Sequence, residues 1–208
     1  MINVLESFLC RYPEFPVCLE LVQKPPETVV LRHKGVGVTH NLNCGVHQML
    51  HEDKQWLWML DDSCVFKTDI LTNLLERDVD IVIPFSLSDD FPNLPVLYNN
   101  DCTLIDNYWL LEQEGLVETD KLATYRGMLV RRSVLEAMDA PWFVNASLMP
   151  DRLGGDIRFC QKAIECGFKI HIDFENVMGR IAHFSMWPNK NGDTWGASVH
   201  KPIPWETS

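Results

Sequence analysis

Residues 56–66 read WLWMLDDSCVF, with five apolar residues (Trp56–Leu60) running into the adjacent carboxylates Asp61 and Asp62 and then into Ser63, Cys64, Val65 and Phe66. A short, aromatic-rich apolar run without alternation predicts a strand buried on both faces of a sheet. Asp61 and Asp62 then fall at its carboxyl end, the edge at which open α/β sheets bind ligands. Adjacent carboxylates repel unless a cation or a set of donors neutralises them. A hard divalent metal carrying phosphate oxygens meets that need. A solvated turn is the plain alternative for an Asp-Asp pair standing alone.

Outward from this strand, Asp69–Glu76 has the apolar spacing of a helix (Ile70, Leu71, Leu74, Leu75), and Val79–Pro84 reads as a second buried strand. Upstream, Asn41–His51 predicts a helix interrupted by Gly45, and Val17–Val22 alternates like a strand. Ile2, Leu5, Phe8 and Leu9 share a helical face, so Met1–Arg11 is predicted as a helix ended by Tyr12-Pro13. The implied order, α-β-α-β-α-β, calls for a mostly parallel sheet with helices on its faces.

Downstream, residues 85–119 look irregular, with an edge strand at Val96–Tyr98. Tyr125–Arg131 predicts a strand, Ser133–Met138 a short helix, and Gly155–Cys166 a helix closed by Gly167. Phe168–Ile172 and a segment around Val177 complete the strands. Residues 1–184 thus form one α/β domain, and 185–208, rich in Pro and Trp, an irregular tail.

The chain has 208 residues and 46% hydrophobic content, enough for one core. A net charge of −11 argues against a general binder of nucleic-acid backbones. Seven dispersed cysteines, with no Cys-x-x-Cys pair, indicate a reducing cytoplasm and no zinc site. No segment has the length of a transmembrane helix.

Three blocks in series resemble the A-type glycosyltransferases, in particular the family-2-like enzymes of phage and bacterial type. They are WLWMLDDSCVFKTDILTNLLERDVDIVIPF with Pro95-Val96-Leu97-Tyr98, YRGMLVRRSVLEAMDAPWF, and GGDIRFCQKAIECGFKIHID. Their order and spacing hold from about Asn41 to Trp187. The resemblance implies a Rossmann-like A-type fold and a sugar moved, with inversion, from a nucleotide-diphosphate donor to a hydroxyl acceptor. Asp61 and Asp62 would hold Mn²⁺ or Mg²⁺ against the diphosphate. Asp156 matches the general base, and Asn41 keeps the last position of an "aRN" segment that lines the donor site.

The chain also departs from the pattern. Ser63 and Cys64 stand where an Asp and a His are usual, Gly155 replaces an acidic residue, and His40 replaces the Arg of "aRN". A late "GHI" becomes Gly179-Arg180-Ile181, so Arg180 would hold phosphate directly, with His183 as a substitute metal ligand. Arg126, Arg131 and Arg132 face either the diphosphate or solvent, the latter for at least two of them. The family's first strand is expected to be missing. That expectation admits a homo-oligomer or a completing partner chain, and together with Ser63, Gly155 and Arg180 it supports a second reading as a non-catalytic binding or scaffolding module. A nucleotidyltransferase ranks lower for want of a Gly-rich phosphate loop. The acceptor is open among glycan, lipid, protein and modified nucleic acid.

Overall fold

A computed structural model describes residues 1–6, 12–34, 37–87, 97–99, 101, 103, 105, 107–145, 154–181, 185–191 and 194–200. The chain opens with strand β1 (Ile2–Glu6), helix α1 (Glu14–Leu21), strand β2 (Val30–Lys34), helix α2 (Val38–His51) and strand β3 (Trp56–Asp61). It continues with β4 (Cys64–Val65), α3 (Ile70–Glu76), β5 (Ile81–Pro84), β6 (Leu97–Tyr98) and α4 (Asn107–Leu111). Next come β7 (Leu116–Thr119), β8 (Leu122–Ala123), β9 (Leu129–Arg131), α5 (Arg132–Ala137) and α6 (Gly155–Glu165). The last strands are β10 (Ile170–Asp173), β11 (Gly179–Arg180), β12 (Ser185–Asn191) and β13 (Thr194–His200).

Seven strands form the central sheet in the order β2-β1-β3-β9-β5-β10-β7. β2, β1, β3, β5 and β10 run one way, while β9 and β7 are reversed. This is an α/β architecture with a mostly parallel sheet flanked by helices. From β1 the chain steps outward to β2, then returns across β1 to β3, so strand order reverses between β1 and β3. Ligand crevices form at such reversals, beyond the carboxyl ends of the strands.

The apolar run of β3 is buried on both faces, as its composition requires. Leu57 and Met59 join one core with Leu42, Val46 and Phe159, whereas Trp58 and Leu60 join the other with Phe15, Leu19 and Leu74. Period-2 alternation therefore feeds two layers of helices. Each fully buried large side chain contributes about 1.5–3 kcal/mol.

Four sequence expectations are corrected. The first strand is present: residues 2–6 pair in parallel with both β2 and β3, so no partner chain is needed to supply it. The helical spacing of Ile2 and Leu5 is outweighed by a slot between two strands, in which Ile2 and Val4 enter one core and Asn3 lies against α2. A Cβ on Gly45 would stand 1.9 Å from the Asn3 amide nitrogen, so the glycine inside α2 is what lets helix and strand meet.

Residues 14–21 form a helix in place of the predicted Val17–Val22 strand. Phe15 and Leu19, one turn apart, are buried, while Val17 and Leu21 are 54% and 60% exposed. Pro16 sits in the first turn, where its missing N–H costs nothing.

The tail expected to be irregular contains β12 and β13, paired antiparallel from Ser185↔His200 to Asn191↔Thr194. Lastly, β2 and β7, which the sequence reading left without strands, occupy the two edges of the sheet.

Candidate functional site at the carboxyl edge of β3

Asp61 is the last residue of β3, opposite Leu5 of β1 at the strand-order reversal. It is 4% exposed, and Asp62, next in the turn, is fully buried. Ser63 folds back onto Asp61, donating from its backbone N–H (3.0 Å) and from its hydroxyl (2.5 Å) to Oδ1. Cys64 Sγ lies 3.5 Å from the same oxygen.

Two arginines reach the other oxygen. Arg126 Nε donates to Asp61 Oδ2 at 2.6 Å, and Arg180 Nη2 lies 3.8 Å from it. Each arrives on a short, tightly constrained segment. The turn Tyr125–Met128 is bonded to β3 by Gly127 N–H to Met59 O (2.7 Å) and Met59 N–H to Met128 O (2.9 Å). Gly127 has φ +83°, and a Cβ there would stand 2.7 Å from Pro84 and Met178 side-chain atoms, so glycine is required. Arg180 is placed by antiparallel pairing of β4 with β11, Cys64 opposite Arg180, reinforced by Ile181 N–H to Ser63 O at 2.8 Å.

Burial alone would raise the Asp61 carboxyl; Arg180, Arg126 and the Ser63 bonds outweigh it and hold the pKa below the usual range. The Cys64 thiol is driven upward, by burial first and then by the Asp61 charge. Cys64 is therefore an inert packed thiol.

Asp156 lies in the first turn of α6, facing the same Tyr125–Arg126 turn. Its Oδ1 accepts from Ile157 N–H at 3.0 Å. The helix N-terminus is expected to favour the ionised form, but burial dominates and raises its pKa, against the backbone donors and the Arg126 charge. Gly155, where an acidic residue was expected, has a steric cause: a Cβ would stand 2.5 Å from the Val144 carbonyl oxygen.

Of the residues singled out in the sequence, the structure thus brings together Asp61, Asp156, Arg180 and, of the three arginines, Arg126, with Asp62 buried beside Asp61 in the turn. Arg131 instead pairs with Asp78 and Asp80 and covers the Trp56 ring, and Arg132 pairs with Glu136 and caps carbonyls at the end of α2. Asn41 is buried in α2, and among the described residues no hydrogen bond or ion pair ties its side chain to Asp61. His183 lies outside the described residues. The signal that would have picked Arg126 from the three arginines lies in Tyr125-Arg126-Gly127, since a glycine within a strand pattern marks a turn or close backbone approach.

On Asp61 a divalent cation would have to compete with Ser63 on one oxygen and the Arg126 guanidinium on the other, a poor fit for a metal ion, and among the described residues no group of three His, Cys, Asp or Glu side chains is placed to hold one.

No family model and no curated protein matches the chain. Solved structures do. A197 from STIV superposes with a TM-score of 0.61 at 15% identity, covering 88% of this chain and 87% of that one. The 1–349 segment of S. aureus TarS, a glycosyltransferase, superposes with a TM-score of 0.52 at 10% identity, covering 86% of this chain and 60% of that segment. At such identities the likeness is one of fold: a glycosyltransferase-like, Rossmann-like α/β domain. Among the described residues no helix is long and apolar enough to cross a membrane.

Proposed function

We propose that this chain is an inverting glycosyltransferase that moves a sugar from a nucleotide-diphosphate donor to a hydroxyl acceptor. The observation that carries the proposal is the convergence of Asp156 with the Asp61–Arg126–Arg180 group at the strand-order reversal of a glycosyltransferase-like fold. A base must be ionised yet retain affinity for a proton, and a carboxyl raised by burial is better suited than an ordinary surface aspartate. In the proposed step Asp156 takes the acceptor proton as the hydroxyl oxygen bonds to the anomeric carbon. The bond from that carbon to the diphosphate oxygen breaks, leaving its electron pair on the diphosphate. The alternative, a non-catalytic module, rests on Ser63, Gly155, Arg180 and a missing first strand, and β1 removes the last of these.

Incubation with a panel of nucleotide-diphosphate sugars, reading release of the nucleoside diphosphate, tests the proposal. Wild type releases nucleotide from one donor class, and Asp156→Asn lowers the rate by about 10²–10⁴-fold, the usual weight of a general base. Equal rates in both proteins, or no release from any donor, would refute it.

A further inference from the structure

Asp61 is expected to be a metal ligand, yet its carboxylate faces two guanidinium groups. Their placement is unequal in an informative way. The Arg180 side chain is 4% exposed and stands 3.8 Å from Oδ2, held from behind by the β4–β11 pairing. The Arg126 side chain is 28% exposed and bonds the same oxygen at 2.6 Å, so this one of the pair borders solvent. Ser63 occupies Oδ1 and fixes the plane of the carboxylate. Two permanent cations are therefore set around one carboxylate oxygen by backbone pairings on either side, one buried and one bordering solvent. Guanidinium groups suit phosphate oxygens, which they bind through paired, charge-assisted hydrogen bonds.

We infer that Arg126 and Arg180 form a metal-independent diphosphate site, in which Asp61 positions the two guanidinium groups and does not ligate a cation. In the transfer reaction, on whose assignment the donor part of this inference rests, the two arginines take the negative charge left on the diphosphate when the bond to the anomeric carbon breaks. The electron pair stays on the diphosphate oxygen and the acceptor proton goes to Asp156, so no further reactant is required. Placed dipoles and charges of this kind stabilise developing anions without reorganising.

Calorimetric titration with inorganic pyrophosphate, and separately with a nucleoside diphosphate panel, is run in EDTA and in Mg²⁺ or Mn²⁺. Pyrophosphate is expected to bind in EDTA with an affinity within about threefold of that with metal, and Arg126→Ala to weaken it by about 10-fold or more, as loss of a charge-assisted contact does. Because Arg180 is buried, Arg180→Lys serves as its variant, keeping the charge and losing the fork, with thermal melting as the folding check. Asp61→Asn separates the two roles. A positioning residue leaves metal-free binding within about tenfold, whereas loss of a metal ligand abolishes the binding measured in Mg²⁺ or Mn²⁺, since even residues behind the ligands cost about 10–100-fold in metal affinity. Binding that needs metal and vanishes in Asp61→Asn would overturn the inference, as would no pyrophosphate binding under any condition. Metal-free pyrophosphate binding with no tighter nucleoside diphosphate would keep the diphosphate site and sink the donor assignment instead.

Discussion

Two parallel strands of this sheet end in buried aspartates, and the two are built for different purposes. Asp173, at the end of β10, is fully buried and receives Arg77 through two bonds (2.8 and 3.2 Å) and the Asn176 side chain (2.7 Å). The backbone N–H groups of Glu175 and Asn176 add two bonds at 3.0 Å. Every donor comes from the adjoining turn or from the end of α3, and the result ties helix to strand. Asp61, at the end of β3, receives Ser63 locally but draws its two arginines from distant segments. Both carboxyls are depressed by their partners against the upward push of burial. Depression alone therefore does not mark a functional site. What distinguishes Asp61 is the strand-order reversal beside it, two arginines drawn from separate distant segments, and a third carboxyl, Asp156, that is shifted in the opposite direction.

The sharpest way to break the contrast is to remove each carboxylate. Asp173→Asn turns one of the two acceptor oxygens that serve five donors into a donor, and is expected to destabilise the fold by about 3–5 kcal/mol through the bonds lost and the donors left facing it, read by urea denaturation. Asp61→Asn keeps an acceptor oxygen for Ser63 and is expected to cost about 1–3 kcal/mol. If Asp61→Asn proved the more disruptive, the assignment of roles would be reversed.

Titration sharpens the contrast further. Asp61 and Asp173 have lowered pKa values in the folded state, so their stabilisation is present above the unfolded carboxylate value of about 3.9 and is lost as pH falls through the folded values. Asp173→Asn should accordingly flatten the acid limb of a stability–pH curve. Asp156 has the opposite sign: its raised pKa stabilises the fold at low pH, and that stabilisation is lost as pH rises through the folded value. At neutral pH its ionised form is a burden, so Asp156→Asn should raise the melting temperature by a few degrees, at about 2–4 °C per kcal/mol for a chain of this size. A lower melting temperature would show that Asp156 is structural. The smallest effect is expected for Arg131→Ala, whose partners Asp78 and Asp80 are exposed: about 0–1 kcal/mol by the same denaturation assay.

The parts of this molecule legible in the sequence are those in which local pattern and tertiary demand agree. Trp56–Leu60 could be buried on both faces only as a central strand, and the structure puts it there. Ile70–Glu76 and Gly155–Glu165 likewise carry their buried faces at helical spacing. Residues 2–6 were illegible because Ile2 and Leu5 fit a helix as well as a strand, and only the neighbours β2 and β3 decide between them. The window beginning at Val17 hid Phe15, the residue whose burial with Leu19 makes α1 a helix. Pro188 argued against a strand in the tail, yet it lies in a two-stranded ribbon, where a missing ladder donor is tolerated. In the site, Asp61, Asp156 and Arg180 were visible as residue types at marked positions. That Arg126 alone of its three arginines turns inward depends on the Gly127 turn and its bonds to β3, which one-dimensional spacing does not reveal.

The contrast between the two aspartates is tested most directly by ligand-induced stabilisation. Melting curves are recorded with and without a saturating nucleoside diphosphate in EDTA, on wild type, Arg126→Ala and Arg77→Ala. A ligand at 100 times its Kd stabilises the fold by about 2.7 kcal/mol. Wild type and the destabilised Arg77→Ala should both show that upward shift, and Arg126→Ala should lose it. A shift that survives in Arg126→Ala but disappears in Arg77→Ala would place the ligand site at Asp173 and contradict the account.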